Sequence, residues 1–301
     1  MKNMSIKLHP HQVLVIAGQT ASGKSSLAIE LAQKYNGEII SADSRQIYRG
    51  MDIGTGKVTR EEQALAKHHL IDICHPNDEY NVTDFKRDAE ALIADIQSRG
   101  KLPIICGGTG FWIQALVDNQ SFPAVPPNKT LRAELAKVPC EDLFKKLKAI
   151  DPQRAKTIDA KNAFRLIRAL EIIEALGAVP PLHDVASRNN YVIIAIHPSK
   201  EKLDAKIRTR LEERFDQDMI GEVKRLHSKG ISWEKLDAFG LEYRWIAQFV
   251  QRKINDRMMH EKLYFDIVHY SKRQLTWLHR WEKQGARIHW VQDASQVDMV
   301  I

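Results

Sequence analysis

The residues best suited to chemistry form a glycine-rich stretch near the start of the chain. Gly18-Gln19-Thr20-Ala21-Ser22-Gly23-Lys24-Ser25 matches the phosphate-loop pattern G-x-x-x-x-G-K-[ST]. The two glycines let backbone N–H groups turn inward, and Lys24 adds a positive charge for phosphate oxygens. The Ser25 hydroxyl could ligate Mg²⁺. The stretch predicts a polyphosphate-binding loop, and it specifies neither the polyphosphate nor the reaction.

Two further stretches carry polar groups that could act beside this loop. Asp43 follows residues 38–41, which read as a short strand, and its carboxylate could bind Mg²⁺ or accept a proton. An alternative is that Asp43 only caps a helix. Thr109, within Gly107-Gly108-Thr109-Gly110, could bond a phosphate or a base. A strand ending in glycine here, where many ATPases have aspartate, argues against a standard ATPase.

These stretches need strands and helices to hold them together. The apolar segments 13–17, 102–106 and 191–196 are typical of buried parallel strands, and residues 38–41 and 68–73 suggest two others. Helical patterns follow several of them, including residues 82–99. The alternation predicts an α/β fold: a parallel sheet like that of P-loop NTPases, flanked by helices. In such sheets, ligands bind at the carboxyl ends of the strands.

A change in composition indicates a second folding unit. A proline-rich segment begins near residue 120 and is followed by four short helical patterns, ending at Gly177-Ala178-Val179-Pro180-Pro181. We predict a small all-helical insertion domain over residues 120–185. Residues 1–119 would then be the first part of the core, and residues 186–301 the second part, with a basic C-terminal helix.

The composition of the chain bears on its binding partners and on its cellular compartment. The 301 residues carry a net charge of +7, which allows a polyanionic partner without requiring one. Three scattered cysteines suggest neither a zinc site nor a disulfide framework and suit a reducing cytosol. No apolar run approaches membrane-spanning length, and no targeting segment stands out. We expect a cytoplasmic monomer.

Basic residues cluster in two predicted helices near the C-terminus. Arg210 belongs to the first, where one arginine could hold phosphates. In the second, Lys272-Arg273-Gln274 lies close to tryptophans, a mixture that fits RNA contact. It also fits an ordinary amphipathic helix with tryptophans in the core.

Together these motifs resemble tRNA dimethylallyltransferase. The resemblance covers nearly the whole chain, in the family's order, and rests on residues 18–25, 41–48, 51–57, 107–110, 164–171 and 272–277. It implies transfer of a dimethylallyl group from dimethylallyl diphosphate to N6 of the adenosine just 3′ of the tRNA anticodon, position 37. The phosphate loop would hold the pyrophosphate of this donor rather than ATP.

The resemblance also implies roles for individual residues. Asp43 would be the general base, Ser25 would bond the diphosphate or Mg²⁺, and Thr109 would act at the donor or at the adenine. Arg210 would hold the leaving pyrophosphate. The residues implied to contact the anticodon stem-loop are Asp43, Ser44, Arg45, Gln46, Thr109, Phe164, Arg165, Leu166, Ile167, Arg168, Tyr243, Arg244, Lys272, Arg273 and Gln274.

Two other functions stay open from the sequence. A P-loop kinase for a small metabolite would need ATP, and it leaves Gly107–Gly110 and the last basic helix unexplained. An RNA-binding regulator without catalysis would not need Lys24, Ser25 and Asp43 together.

Overall fold

The computed structural model describes His9, residues 11–180 and residues 190–301. In this part of the chain the strands are β1 (Val13–Gly18), β2 (Gly37–Ser41), β3 (His68–His69), β4 (Leu102–Cys106), β5 (Tyr191–Ile196) and β6 (Ile288–Val291). The helices are α1 (Lys24–Lys34), α2 (Arg60–Leu65), α3 (Val82–Ser98), α4 (Gly110–Val117), α5 (Lys129–Leu135), α6 (Cys140–Ile150), α7 (Pro152–Thr157), α8 (Ala163–Leu176), α9 (Lys200–Asp216), α10 (Met219–Ser228), α11 (Trp233–Phe239), α12 (Leu241–Val250) and α13 (Asp256–Lys283). A 3₁₀ helix covers Ala294–Met299.

The strands form one parallel sheet in the order β3-β2-β4-β1-β5-β6. The predicted parallel α/β architecture is therefore confirmed. Because all the strands run the same way, the loops after β1, β2 and β4 meet at one edge of the sheet. The glycine-rich loop, Asp43 and Thr109 all belong to that edge.

β1 shows why the sheet needs helices on both faces. Its alternate residues Leu14 and Ile16 join the apolar cluster that α1 contributes to, whereas Val13 and Val15 join the larger cluster on the opposite face. All six residues of the strand are buried. A strand buried on both sides needs a continuous apolar sequence, which is the pattern that predicted it.

The strand predicted over residues 68–73 is wrong in its length. β3 ends at His69, because Leu70 and Asp72 adopt left-handed φ values of 59° and 56°. Left-handed residues break the extended ladder of a strand. The chain instead forms a tight turn around Ile71, which lines the candidate site.

The chain folds into two compact units, Met1–Asn119 with Ala186–Ile301, and Gln120–Val185. The second unit packs α5, α6 and α8 around an apolar cluster that includes Leu143, Leu147 and Leu166. Its buried Glu171 accepts hydrogen bonds from Arg132 and Arg168. Burial alone would raise the pKa of Glu171, but these arginines outweigh it and lower the pKa to about 2.

Candidate active site

The phosphate loop has the backbone shape that its sequence predicts. Gly18, Ala21 and Gly23 have φ values of 149°, 60° and 96°. A Cβ atom on Gly18 would lie 2.7 Å from the carbonyl oxygen of Ile196, so this position accepts only glycine. The hydroxyl oxygen of Ser22 is buried and has no hydrogen-bond partner in the described residues. Such a concave backbone with an unpartnered polar atom suits an anionic ligand.

Two cations stand beside this loop. Lys24 Nζ donates a hydrogen bond to the Gln19 carbonyl oxygen at 2.6 Å, and Arg210 of α9 donates to the Gly56 carbonyl oxygen at 3.2 Å. Burial lowers the pKa of Lys24 to about 8 and the pKa of Arg210 to about 10. Burial is the main cause of both shifts, and the neighbouring Arg214 adds to the second, so a bound diphosphate would stabilise both charged forms.

The Lys24 shift predicts a pH dependence of anion binding. In the free protein Lys24 loses its proton as the pH rises through about 8, while a bound diphosphate would favour the protonated amine. We expect the affinity for inorganic pyrophosphate to fall by about tenfold between pH 7 and pH 9, measured by calorimetry. Lys24→Arg keeps its charge over this range and corrects for the titration of pyrophosphate itself. Parallel profiles for the two proteins would contradict the assignment.

Asp43 lies in the turn directly after β2. Its Oδ1 accepts a hydrogen bond from the Arg45 backbone N–H at 2.9 Å, which holds the carboxylate in place. The neighbouring Ser44 N–H donates to Thr109 Oγ1 at 3.0 Å, and the Thr109 N–H donates to the Ala42 carbonyl oxygen at 3.1 Å. In this structure Thr109 therefore fixes the turn that carries Asp43.

One cleft brings several of the predicted polar groups together, although Thr109 does not line it. Asp43, Lys24, Ser25 and Arg210 all line it. The sequence does not indicate that Tyr270 of α13 also belongs there. Burial and the nearby Asp43 carboxylate raise the pKa of Tyr270, so its hydroxyl stays protonated. The cleft thus holds two cations, one carboxylate and several hydroxyl groups, a set able to bind a diphosphate and to accept a proton.

The segment 51–58, which we call the Gly54 loop, forms one wall of the site and is fixed by buried side chains. The Glu222 carboxylate accepts hydrogen bonds from the backbone N–H groups of Asp52, Ile53 and Gly54 at 2.8, 2.7 and 3.1 Å. The Tyr243 hydroxyl donates to the same carboxylate at 2.8 Å. These contacts give the loop one conformation, with the Gly56 carbonyl oxygen turned to Arg210.

Helix α13 joins the two glycine-rich loops through one amide. Gln274 Oε1 accepts a hydrogen bond from the Thr20 N–H at 2.7 Å, and Gln274 Nε2 donates to the Gly108 carbonyl oxygen at 3.0 Å. Close by, Gln19 Nε2 donates to Ser271 Oγ at 2.8 Å. More than 250 residues separate Gln19 from Ser271 and Thr20 from Gln274, so no local pattern could reveal these contacts.

We expect Gln274→Ala to lower kcat/KM for the anionic substrate by about tenfold, because two partly buried hydrogen bonds that set the spacing of the loops are lost. Steady-state kinetics with the substrate proposed below would measure the effect. Thr276→Ala changes an exposed residue of the same helix and serves as the control. Equal kinetics for Gln274→Ala and Thr276→Ala would refute the role of Gln274.

The residues implied to contact RNA differ in their exposure. Phe164 is 89% exposed, and Arg165, Lys272 and Arg273 are also exposed. Arg168 is partly exposed and paired with Glu171. Four implied side chains, in contrast, are buried in their own units: Leu166, Ile167, Tyr243 and Gln274. Each of these side chains packs or bonds within the protein, and direct contact of these four residues with RNA stays a prediction.

Of the other implied contacts, Ser44, Arg45, Gln46 and Arg244 are all partly buried. Arg45 donates to the Phe239 carbonyl oxygen at 3.2 Å, and Arg244 donates to the Asp237 carbonyl oxygen at 3.2 Å. Gln46 Nε2 donates to the Gly56 carbonyl oxygen at 3.2 Å, which links it to the Gly54 loop. These bonds hold all three side chains against the protein, and of the three only Gln46 lines the cleft.

The cleft also fits a divalent ion that arrives with a diphosphate. Within the described residues, no three His, Cys, Asp or Glu side chains group closely enough to hold a metal by themselves. Mg²⁺, however, commonly takes one or two protein oxygens and several phosphate oxygens. Ser25 and Asp43 line the same cleft and provide such oxygens.

Comparison with known proteins gives one consistent result. A family model described as IPP transferase matches residues 46–281. tRNA dimethylallyltransferase 2 of Treponema denticola is 43% identical and aligns over 93% of this chain and 96% of its own length. tRNA dimethylallyltransferase 1 of Geotalea uraniireducens is 42% identical, over 93% of this chain and 92% of its own.

Solved structures agree with these relatives. The tRNA isopentenylpyrophosphate transferase of Bacillus halodurans superposes with a TM-score of 0.69 at 33% identity, covering 94% of this chain and 90% of its own. A eukaryotic dimethylallyltransferase, solved acting on tRNA, superposes with a TM-score of 0.77 at 25% identity. The match covers 95% of this chain and 75% of the eukaryotic one. No helix among the described residues is long and apolar enough to cross a membrane. The chain belongs to the IPP transferase family, and its relatives from Treponema denticola and Geotalea uraniireducens are tRNA dimethylallyltransferases.

Proposed function

We propose that this protein transfers a dimethylallyl group from dimethylallyl diphosphate to N6 of the adenosine on the 3′ side of a tRNA anticodon, position 37. The observation that carries the proposal is the single cleft lined by Lys24, Ser25, Arg210 and Asp43. It pairs a site for a diphosphate with a carboxylate able to accept a proton, in a chain whose relatives are named for this reaction.

The proposed reaction assigns a step to each of these groups. The adenine N6 attacks C1 of the dimethylallyl chain, and the bond from C1 to the diphosphate oxygen breaks. Asp43 accepts the proton that N6 loses. Lys24 and Arg210 stabilise the negative charge that develops on the leaving pyrophosphate. Mg²⁺, held by Ser25 and the diphosphate oxygens, would neutralise part of the same charge.

The tRNA would be held by the exposed residues of the implied set. Phe164 and Arg165 offer an aromatic face and a charge on the helical insertion, and Lys272 and Arg273 offer charges on α13. Aromatic faces stack on unpaired bases, and cations contact phosphates. The three cysteines are free, as suits a reducing cytosol, and every proposed reacting group comes from one chain, so we propose a cytoplasmic monomer.

We expect Phe164→Ala to raise the dissociation constant for an anticodon stem-loop by about tenfold, because one stacking surface is lost. Leu176→Ala provides the control, since Leu176 lies on the same helix and is 54% exposed. Binding of an anticodon stem-loop, followed by fluorescence anisotropy, measures the effect. Equal affinities for the two variants would remove Phe164 from the proposed RNA surface.

The proposed function is tested by transfer of labelled dimethylallyl from its diphosphate to an anticodon stem-loop, with Mg²⁺ and without ATP. We expect label in RNAs that carry an adenosine 3′ of the anticodon and none when that base is guanosine. Absence of label with folded protein would overturn the proposal, and ATP turnover would then be measured for the kinase alternative.

A further inference from the structure

Gln19, the second residue of the phosphate loop, is buried outside the cleft that holds Lys24 and Asp43. Its side chain does not line that cleft, and only 4% of the residue is exposed. A buried amide is costly unless its polar atoms have hydrogen-bond partners. The partners of Gln19 therefore show what holds this part of the loop.

Both ends of the Gln19 amide are bonded to other elements of the fold. Oε1 lies 2.9 Å from Nδ1 of His197, the residue that directly follows β5. Nε2 donates to Ser271 Oγ of α13 at 2.8 Å and lies 3.4 Å from the Ser271 carbonyl oxygen. The side chain thus links the phosphate loop to the end of one strand and to one helix.

These partners fix the orientation of the amide and the tautomer of His197. The Ser271 carbonyl oxygen can only accept a hydrogen bond, so the amide nitrogen of Gln19 must point toward it. Oε1 then faces His197 and can only accept, so Nδ1 of His197 carries a proton and donates it. Burial and the neighbouring His279 lower the pKa of His197, so at pH 8 the ring is neutral and Nε2 is unprotonated.

His197 is itself held in place at the edge of the sheet. Its N–H donates to the Val291 carbonyl oxygen of β6 at 2.8 Å, and its ring packs edge-on against Trp290, with 6.0 Å between the centroids. The loop needs such an anchor, because Gly18 does not restrict the backbone and Ala21 adopts an unfavourable left-handed φ of 60°.

The backbone of Gln19 holds one of the two cations of the site. Its carbonyl oxygen accepts hydrogen bonds from Lys24 Nζ at 2.6 Å and from the Ser22 N–H at 3.2 Å. A side chain bonded at its far end limits the rotation of the peptide to which it belongs. The position of this carbonyl oxygen, and with it that of the Lys24 amine, therefore depends on the partners of the Gln19 amide.

We infer that Gln19 is a positioning residue for Lys24, and that His197 and Ser271 act through it by holding its amide. The inference rests on the proposed function for the identity of the anion, a diphosphate. Neither His197 nor Ser271 lines the cleft. Loss of either partner should therefore weaken diphosphate binding without removing any group that contacts the anion.

The first test measures the binding of inorganic pyrophosphate by calorimetry at pH 7. We expect His197→Ala to weaken binding about fivefold, because the buried amide loses its donor, and His197→Asn to restore it, because an asparagine N–H can replace Nδ1–H. His279→Ala is the matched control: His279 is also exposed, and its ring packs on the same Trp290 with 4.8 Å between the centroids.

A double-mutant cycle separates action through Gln19 from a general loss of packing. If His197 acts through Gln19, the loss caused by His197→Ala should disappear when Gln19 is already alanine. Additive losses would overturn the inference, and so would equal affinities for His197→Ala and His279→Ala. If Gln19→Ala does not fold, the comparison of His197→Ala, His197→Asn and His279→Ala still decides, because both histidines are exposed.

A spectroscopic readout tests the same contact without any ligand. In the free protein at pH 8, nitrogen NMR of the imidazole should place the proton of His197 on Nδ1, and Gln19→Ala should move it to Nε2, since the hydrogen bond sets the tautomer. A proton on Nε2 in wild type would overturn the inference. If wild type transfers no dimethylallyl group, the proposed function fails, whereas the pyrophosphate and NMR results still decide the role of Gln19.

Discussion

Replacing Asp43 with asparagine is expected to reduce dimethylallyl transfer by about 10²–10⁴-fold, the contribution typical of a general base. The amide oxygen of asparagine can still accept the hydrogen bond from the Arg45 N–H that holds the turn. The turn, its contact with Thr109 and the fold should therefore be preserved. Only the capacity to take a proton from the adenine amino group is lost.

Single-turnover rates at saturating donor and stem-loop separate this loss from weaker binding. We expect tRNA affinity and the melting temperature to remain close to wild type, with the rate alone reduced. Asp52→Asn, at the Gly54 loop, is a matched control because it removes a carboxylate that pairs with Lys57 at the outer side of the site. An Asp43→Asn rate within tenfold of wild type would exclude Asp43 as the base.

The parts of this site that local sequence could predict are those that short-range geometry determines. The phosphate loop needs positive φ at Gly18 and Gly23 between a buried strand and a helix, and the sequence carries all of these signals within about twenty residues. Asp43 and Thr109 could be placed at the same edge because each directly follows an apolar parallel strand. Because the strands are parallel, the loops that follow them meet at one edge of the sheet, and no other sequence signal is needed to predict this.

The contacts that fix the loops could not be predicted in the same way. Gln274 appeared as part of a basic stretch, which favoured RNA contact, whereas the structure buries it between Thr20 and Gly108. No sequence pattern indicated that Tyr270 lines the cleft, because a tyrosine in a long amphipathic helix resembles any other partly buried aromatic residue. Such roles depend on how α13 packs across the sheet edge, and tertiary packing of this kind has no local pattern.

The left-handed turn around Ile71 illustrates the same limit. Residues 68–73 read as a strand because their apolar content suits one, yet Leu70 and Asp72 adopt left-handed φ values. Part of the reason is tertiary: the Asp72 carboxylate pairs with Lys57, and the Asp72 N–H donates to the Gln46 carbonyl oxygen at 3.2 Å. A turn held by residues more than ten positions away overrides the local preference for a strand.

Glu222→Ala is expected to lower the free energy of unfolding by about 3–4 kcal/mol, although Glu222 lines no part of the cleft that holds Asp43. The substitution leaves three backbone N–H groups of the Gly54 loop and the Tyr243 hydroxyl without their acceptor in a buried place. Urea unfolding at pH 7 measures the change, provided that the transition remains two-state.

The same substitution should also affect catalysis, because the Gly54 loop places the Gly56 carbonyl oxygen that accepts hydrogen bonds from Arg210 and Gln46. We expect kcat/KM for the prenyl donor to fall by at least about tenfold, since small displacements of charged groups weaken transition-state stabilisation. Tyr243→Phe is the matched control. It removes one hydrogen bond from Glu222 but leaves the three bonds to the loop, so it should cost only about 1 kcal/mol and retain most activity. If Tyr243→Phe and Glu222→Ala lower activity equally, the three bonds from the loop to Glu222 add nothing to catalysis, and the proposed role of Glu222 in holding the loop is contradicted.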